Sequence, residues 1–174
     1  EESWSLPENE WQAMALCYTS GTTGNPKGVV YHHRGAYLNA MGCALAWNMK
    51  HHPVYLWTLP MFHCCGWTFP WTIAALAGTN VCLRRVAADN IYQAIEQYKV
   101  THFCGAPIVL NFIANADEKE KRPLPHIVEV MTAGAAPPAA VLKAIEKAGF
   151  HITHTYGLTE TYGPAVICSW KPQW

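Results

Sequence analysis

Short apolar runs closed by glycine or proline alternate along this chain with segments whose apolar residues recur at helical spacing. That alternation builds a parallel sheet with helices packed on its faces, because buried parallel strands read as continuous apolar runs and each crossover needs a helix. The fold class is therefore α/β, with a largely parallel sheet flanked by helices. Strands are expected at 13–18, 54–59, 80–83, 101–104, 127–132 and 151–155. The clearest helix runs from Asp89, the expected N-cap, through Ile91, Ala94, Ile95 and Tyr98. A second spans 138–148, with Val141, Leu142, Ile145 and Ala148 on one face and Gly149 as its stop. Helices are also expected at 33–49 and 68–77, and the charged, proline-closed stretch 117–125 reads as a surface loop.

Charge narrows the function. Twelve Lys and Arg balance twelve Asp and Glu, so the chain has no electrostatic basis for binding nucleic acid. Charged residues make up 14% of the 174, against about 25% in an average soluble domain, while hydrophobic ones reach 51% and include eight Trp. That surplus predicts surface normally covered by something else. No apolar run approaches the ~18 residues of a transmembrane segment, and the start Glu1-Glu2-Ser3-Trp4 lacks the order of a signal peptide. The seven cysteines, at 17, 43, 64, 65, 82, 104 and 168, show no framework spacing and read as small apolar fillers in a reducing, cytoplasmic setting. Without a CxxC pair, His63-Cys64-Cys65 and His51-His52 do not read as a zinc site. The chain opens without Met and closes on Lys171-Pro172-Gln173-Trp174, so it reads as an excerpt of something longer.

In an open α/β sheet ligands bind beyond the carboxyl ends of the strands, and the unusual residues of this chain fall there. Thr19-Ser20-Gly21-Thr22-Thr23-Gly24-Asn25-Pro26-Lys27-Gly28 carries four hydroxyls, three glycines and a lysine, a donor-rich loop suited to phosphate oxygens. It is not a Walker A loop, since Lys27 follows Pro26 and precedes Gly28. Pro60-Met61-Phe62-His63, Ala133-Gly134-Ala135-Ala136-Pro137 and Tyr156-Gly157-Leu158-Thr159-Glu160 follow the second, fifth and sixth expected strands, so four strand ends should meet on one rim. The last of these offers a ring to stack on a base, a hydroxyl for a phosphate and a carboxylate for a hard cation.

Tyr18 through Gly28 resembles the signature of the AMP-forming acyl-CoA synthetases, within the adenylate-forming superfamily. Tyr156-Gly157-Leu158-Thr159-Glu160 is similar to that family's second hallmark, Leu59-Pro60-Met61-Phe62-His63 to its acyl-pocket motif, and Gly134-Ala135-Ala136-Pro137 to its adenine-binding turn. The runs 29–37 and 159–164 are most similar to the branch holding plant acyl-activating enzymes, medium-chain fatty-acyl ligases and methylmercaptopropionate-CoA ligases. The resemblance implies that residues 1–174 are an incomplete piece of the large N-terminal domain, without the flanking N-terminal portion and the C-terminal lid domain. It implies that Thr19, Ser20, Gly21, Thr22, Thr23, Gly24, Asn25, Pro26 and Lys27 wrap the phosphates, with Lys27 also active in catalysis. It further implies that Gly134, Ala135, Ala136 and Tyr156 hold adenine while His154, Thr155 and Gly157 line its edge. Thr159 would touch the α-phosphate, Glu160 would bind magnesium, and His63 and Trp67 would line the acyl pocket. Ala133-Gly134-Ala135 departs from the paired glycines of many relatives. The family's ribose-binding carboxylate and its catalytic lysine lie beyond Trp174.

The implied function is an acid–thiol ligase that uses ATP and Mg2+ to adenylate a short- to medium-chain carboxylic acid and passes the acyl group to coenzyme A. Bulky Trp67 and Phe69 near His63 point to the shorter acids. Two alternatives stay open: a nucleotide-binding fragment or pseudoenzyme without complete catalysis, and an adenylation module that loads a carrier protein. A homodimer of the parent protein is a candidate assembly.

Overall fold

The computed structural model describes residues 3, 5–19, 24–169 and 171. In chain order the elements are β1 (Ala13–Tyr18), β2 (Gly28–His32), α1 (His33–Ala46), β3 (Val54–Trp57), a single turn α2 (Cys64–Trp67), α3 (Phe69–Ala75), β4 (Thr79–Cys82), α4 (Ala88–Tyr98), β5 (His102–Cys104), α5 (Pro107–Ala114), β6 (Val128–Thr132), α6 (Ala139–Lys147) and β7 (Phe150–Leu158). A 3-10 turn at Thr159–Thr161 and a last strand, β8 (Gly163–Ile167), follow. Six strands form the main sheet in the order β4-β3-β5-β6-β7-β8, parallel except for β8.

Strand alternation divides the core into two layers. Leu56, Phe103, Val130 and Ile152 face Ile91 and Ile95 of α4, Leu110 and Ile113 of α5 and Ile145 of α6. Their strand neighbours Tyr55, Trp57, Cys104 and Met131 face the opposite side, against Trp47, Phe69 and Ile73. The periodicity of α4 places Ile91, Ala94 and Ile95 in the core as its spacing predicts, together with Ala88 and Tyr92, while Tyr98, expected on the same face, is half-exposed at the helix end. Apolar side chains that nothing covers gather on the hairpin and α1: Leu16, Tyr18, Val30, Tyr37, Leu38, Met41 and Leu45 are exposed. No described helix is long and apolar enough to cross a membrane.

The structure corrects several expectations. The first strand is not part of the main sheet; β1 pairs antiparallel with β2, a strand the sequence reading left unassigned. Asp89 is not the N-cap of α4, since that position belongs to Ala87 and Asp89 stands in the first turn, 3.5 Å from Arg85. Helix 33–49 stops at Ala46, where Asn48 turns left-handed at φ 51°. Helix 138–148 starts one residue later, with Pro138 as its cap. The sixth strand runs through Leu158 rather than ending at Thr155, because its last residues pair with β8. α5 was also missed, although Pro107 at its first turn is pre-set for a helix start.

Among the cysteines the filler reading fails for two: Cys17 of β1 and Cys65 of α2 form a disulfide. It ties the hairpin to the turn that follows His63.

Candidate active site

The hairpin closes the donor-rich loop at its base. Thr19 N–H donates to the Lys27 carbonyl at 2.9 Å, and Lys27 N–H donates to Thr19 Oγ1 at 3.1 Å. Ser20, Gly21, Thr22 and Thr23 lie outside the described residues. Gly24, Asn25, Pro26 and Lys27 are exposed, and no ion pair holds the Lys27 ammonium among the described residues.

The main sheet supplies the other half. Beyond β3, Pro60 accepts from His63 N–H at 3.1 Å, and the backbone then turns left-handed through Cys64, Cys65, Gly66, Trp67 and Thr68, with φ between 42° and 70°. Four of these are not glycine, and such strained conformers persist only where surroundings hold them, often at functional sites. Here the disulfide at Cys65 and the burial of Trp67 do the holding. A cavity of about 70 Å³ opens against this turn, and it brings together His63, Trp67, Gly134, Thr155 and Gly157, with Cys64 between them. Sequence reasoning assigned five of the cavity's nine lining residues; it missed Ala133, Gly163, Pro164 and Cys64, whose sulfur lies 3.5 Å from Thr159 Oγ1 and whose thiol is pushed up chiefly by burial.

Gly134 has φ 90° and open space around the position of a Cβ, and Ala135 and Ala136 are exposed beside it. Tyr156 is 59% exposed, which leaves its ring free to face a ligand. Thr155 is buried, and its hydroxyl donates to the Val166 carbonyl at 2.7 Å, so it braces β8 as well as lining the cavity. His154, on the alternate face of β7, is exposed and does not line the cavity.

Glu160 is exposed at the middle of the 3-10 turn, and its carboxylate has no hydrogen bond or ion pair among the described residues. It lines a separate groove of about 240 Å³ with Tyr31, His32 and Tyr162. An unpartnered, oxygen-only donor at the rim of the sheet is what a hard divalent cation takes as a ligand, so the residues present fit magnesium. The turn is held by Thr161, which sequence reasoning also missed: Leu158 N–H donates to its hydroxyl at 2.8 Å, and that hydroxyl lies 2.9 Å from the Gly163 carbonyl. A threonine placed two residues before a glycine that starts a strand is the only signal that could have found it.

The match to a family model settles the relationship. A model described as AMP-binding enzyme fits residues 2–174. The chain belongs to the AMP-binding enzyme family. Its relatives include the peroxisomal acetate/butyrate–CoA ligase of Arabidopsis thaliana, 60% identical over 98% of this chain and 30% of that protein. The acetate–CoA ligase of Humulus lupulus is 58% identical over the whole chain and 31% of its own length. Among solved structures, O-succinylbenzoate coenzyme A synthetase from Bacillus subtilis in complex with ATP and magnesium ion superposes with a TM-score of 0.83 at 27% identity, over 92% of this chain and 33% of that one. The N-terminal domain of a Mycobacterium tuberculosis protein, FACL13, gives 0.81 at 29% identity over 87% and 38%. This chain thus spans about a third of the proteins it matches, and the fold it shares with them is that of an adenylate-forming N-terminal domain.

Proposed function

We propose that the protein carrying this chain is an ATP- and Mg2+-dependent acid–thiol ligase that adenylates a short- to medium-chain carboxylic acid and transfers the acyl group to coenzyme A. The observation that carries the reading is the juxtaposition of a small cavity, walled by His63 and Trp67, with the Thr159–Glu160 turn and the open Gly134–Ala136 ledge. A cavity of about 70 Å³ holds two or three water-sized groups, which favours the short end of the acid range. The relatives point the same way, since their names include acetate, butyrate and 2-methylpropanoate.

The chemistry needs positioning more than activation. A carboxylate and a triphosphate repel each other, so the protein must bring their reacting atoms together and offset charge as it develops. Adenine would lie on Gly134, Ala135 and Ala136 with Tyr156 across it, and His154, Thr155 and Gly157 would border its edge. Residues 19–27 would surround the β- and γ-phosphates with N–H and O–H donors, with Lys27 supplying a positive charge. Thr159 would donate to the α-phosphate. Glu160 would hold magnesium, which when bound would supply charge neutralisation. An oxygen of the acid then attacks the α-phosphorus, pyrophosphate leaves, and an acyl-adenylate results. The sulfur of coenzyme A attacks the acyl carbon, and AMP departs with the bridging oxygen. His63 and Trp67 would hold the acyl chain throughout.

Acid-dependent exchange of label between pyrophosphate and ATP tests the reading, run on the full polypeptide across acids from acetate to palmitate. Exchange that is strongest with acids of two to eight carbons is expected. ATP binding without exchange for any acid would make the protein a pseudoenzyme, and exchange without acyl-CoA formation would favour a carrier-protein acceptor. We infer a cytoplasmic location from the five free cysteines, which fit a reducing compartment, although the Cys17–Cys65 disulfide runs against it. Two relatives carry a peroxisomal designation, so fractionation that found the protein in peroxisomes would overturn this part.

A further inference from the structure

The two halves of the proposed site come from different sheets, since Thr19 and Lys27 close the β1–β2 hairpin while Thr159 and Glu160 follow β7. Something must fix one against the other, because a displacement of about 1 Å at reacting groups costs orders of magnitude in rate. On the basis of the function proposed above, we infer that Tyr31 is the positioning residue that registers β2, and with it Lys27 at the base of the hairpin, against the Thr159–Glu160 turn.

Tyr31 stands on β2, four residues after Lys27, and its hydroxyl donates to the Thr159 carbonyl at 2.6 Å. Among the described residues this is the hydrogen bond that joins the hairpin to that turn. The register of β1 on β2 shifts between Ala13 and Ala15, opposite Tyr31, and irregularities of this kind re-aim a side chain. The ring is 95% buried and meets Tyr162 edge-on at 3.9 Å. Tyr162 closes the turn with a left-handed φ of 64°, and its own hydroxyl accepts from the Trp71 indole N–H of α3. The turn is thereby gripped from both sides, by β2 through Tyr31 and by α3 through Tyr162. A buried phenol bonded to a main-chain carbonyl is a length-setting strut: it carries no charge to the substrate, yet it sets how far Glu160 sits from the phosphate donors.

Tyr31→Phe removes one oxygen and keeps the ring. In the full polypeptide, the dissociation constant for MgATP measured by calorimetry should rise about threefold to tenfold, the range of one lost hydrogen bond. The Mg2+ concentration for half-maximal exchange should rise with it, while the KM for the acid stays within twofold. A purely structural role would lower the melting temperature and the active fraction without moving either constant. Unchanged MgATP affinity and Mg2+ half-saturation in Tyr31→Phe would overturn the inference. If that variant does not fold, Trp71→Phe loosens the turn from the other side and is judged by the same two constants. Should the parent protein bind MgATP but show no acid-dependent exchange, the proposed function fails, and the MgATP constant of the variant still decides the role of Tyr31. Should the parent protein not bind MgATP, both fail.

Discussion

Gly157 lies in β7 where β8 folds back over it, and a methyl group there has nowhere to go. A Cβ built on Gly157 would stand 1.9 Å from the Gly163 carbonyl oxygen and 2.5 Å from its carbon. Ordinary contact begins at 3.4 Å, so β8 would have to retreat by more than 1 Å. That retreat breaks the pairing of Gly157 with Pro164 and of Leu158 with Gly163, the pairs that place the Thr159–Thr161 turn. Overpacking costs about 1–3 kcal/mol and each lost ladder hydrogen bond about 1 kcal/mol more, so Gly157→Ala should destabilise by about 3–5 kcal/mol. The same substitution at two other glycines of the site calibrates the result. Gly134→Ala meets open space but keeps φ at 90°, a strain of about 1–2 kcal/mol. Gly24→Ala meets nothing within 4 Å and has no left-handed φ, so it should change stability by less than about 0.5 kcal/mol. Urea unfolding of the three variants, with MgATP affinity measured beside it, gives the order 24, then 134, then 157. A Gly157→Ala protein as stable as its parent would refute the argument from space.

His102 packs edge-on against Trp47 at 5.0 Å and bonds the Thr101 hydroxyl at 2.8 Å, and burial holds its imidazole down to about 4 from the ordinary 6.5. The unfolded chain therefore takes the proton first, so this stabilisation is complete above pH 6.5 and is lost as pH falls toward 4; the gap corresponds to about 3 kcal/mol, nearer 2 after allowing for the ring's residual exposure. His102→Gln should flatten the stability profile between pH 6.5 and 4, and an unchanged slope would contradict it. Reducing the Cys17–Cys65 disulfide releases a loop with a sequence separation of 48, worth about 4 kcal/mol on the chain-entropy account. A phosphine reductant should lower the urea midpoint, and identical curves with and without it would show that the bond carries no stability. Trp67 is buried against the small cavity, so Trp67→Gly should enlarge it and move the preferred acid toward longer chains; an unchanged acid profile would remove Trp67 from the acyl wall.

What could be read from residue order was what local pattern decides. Val128–Thr132 reads as a strand because Val128, Val130 and Met131 are buried in the sheet, with Glu129 the one charged residue among them, and α4 declares itself because one stripe of it is buried. The four motif stretches stood out for a related reason: glycines, hydroxyls and a carboxylate interrupt the apolar pattern where strands give way to turns. Pairing across distance was not legible. Gly28–His32 becomes a strand because β1 lies beside it, and Gly163–Ile167, despite Pro164, becomes one because β7 is long enough to hold it. Nothing in the spacing of seven cysteines singled out Cys17 and Cys65, which meet only after the hairpin has folded onto the turn beyond His63. Tyr31 was hidden likewise, since its importance rests on a carbonyl far along the chain.

Adenylation by direct attack of the acid is the central claim, and the fate of one atom tests it. The full polypeptide would be supplied with a short acid labelled with oxygen-18 in its carboxylate, together with ATP, Mg2+ and coenzyme A, and the products examined by mass spectrometry. One labelled oxygen in each AMP, with loss of turnover in Glu160→Gln, is the expected result. Label in inorganic phosphate, or unlabelled AMP alongside acyl-CoA, would contradict the account.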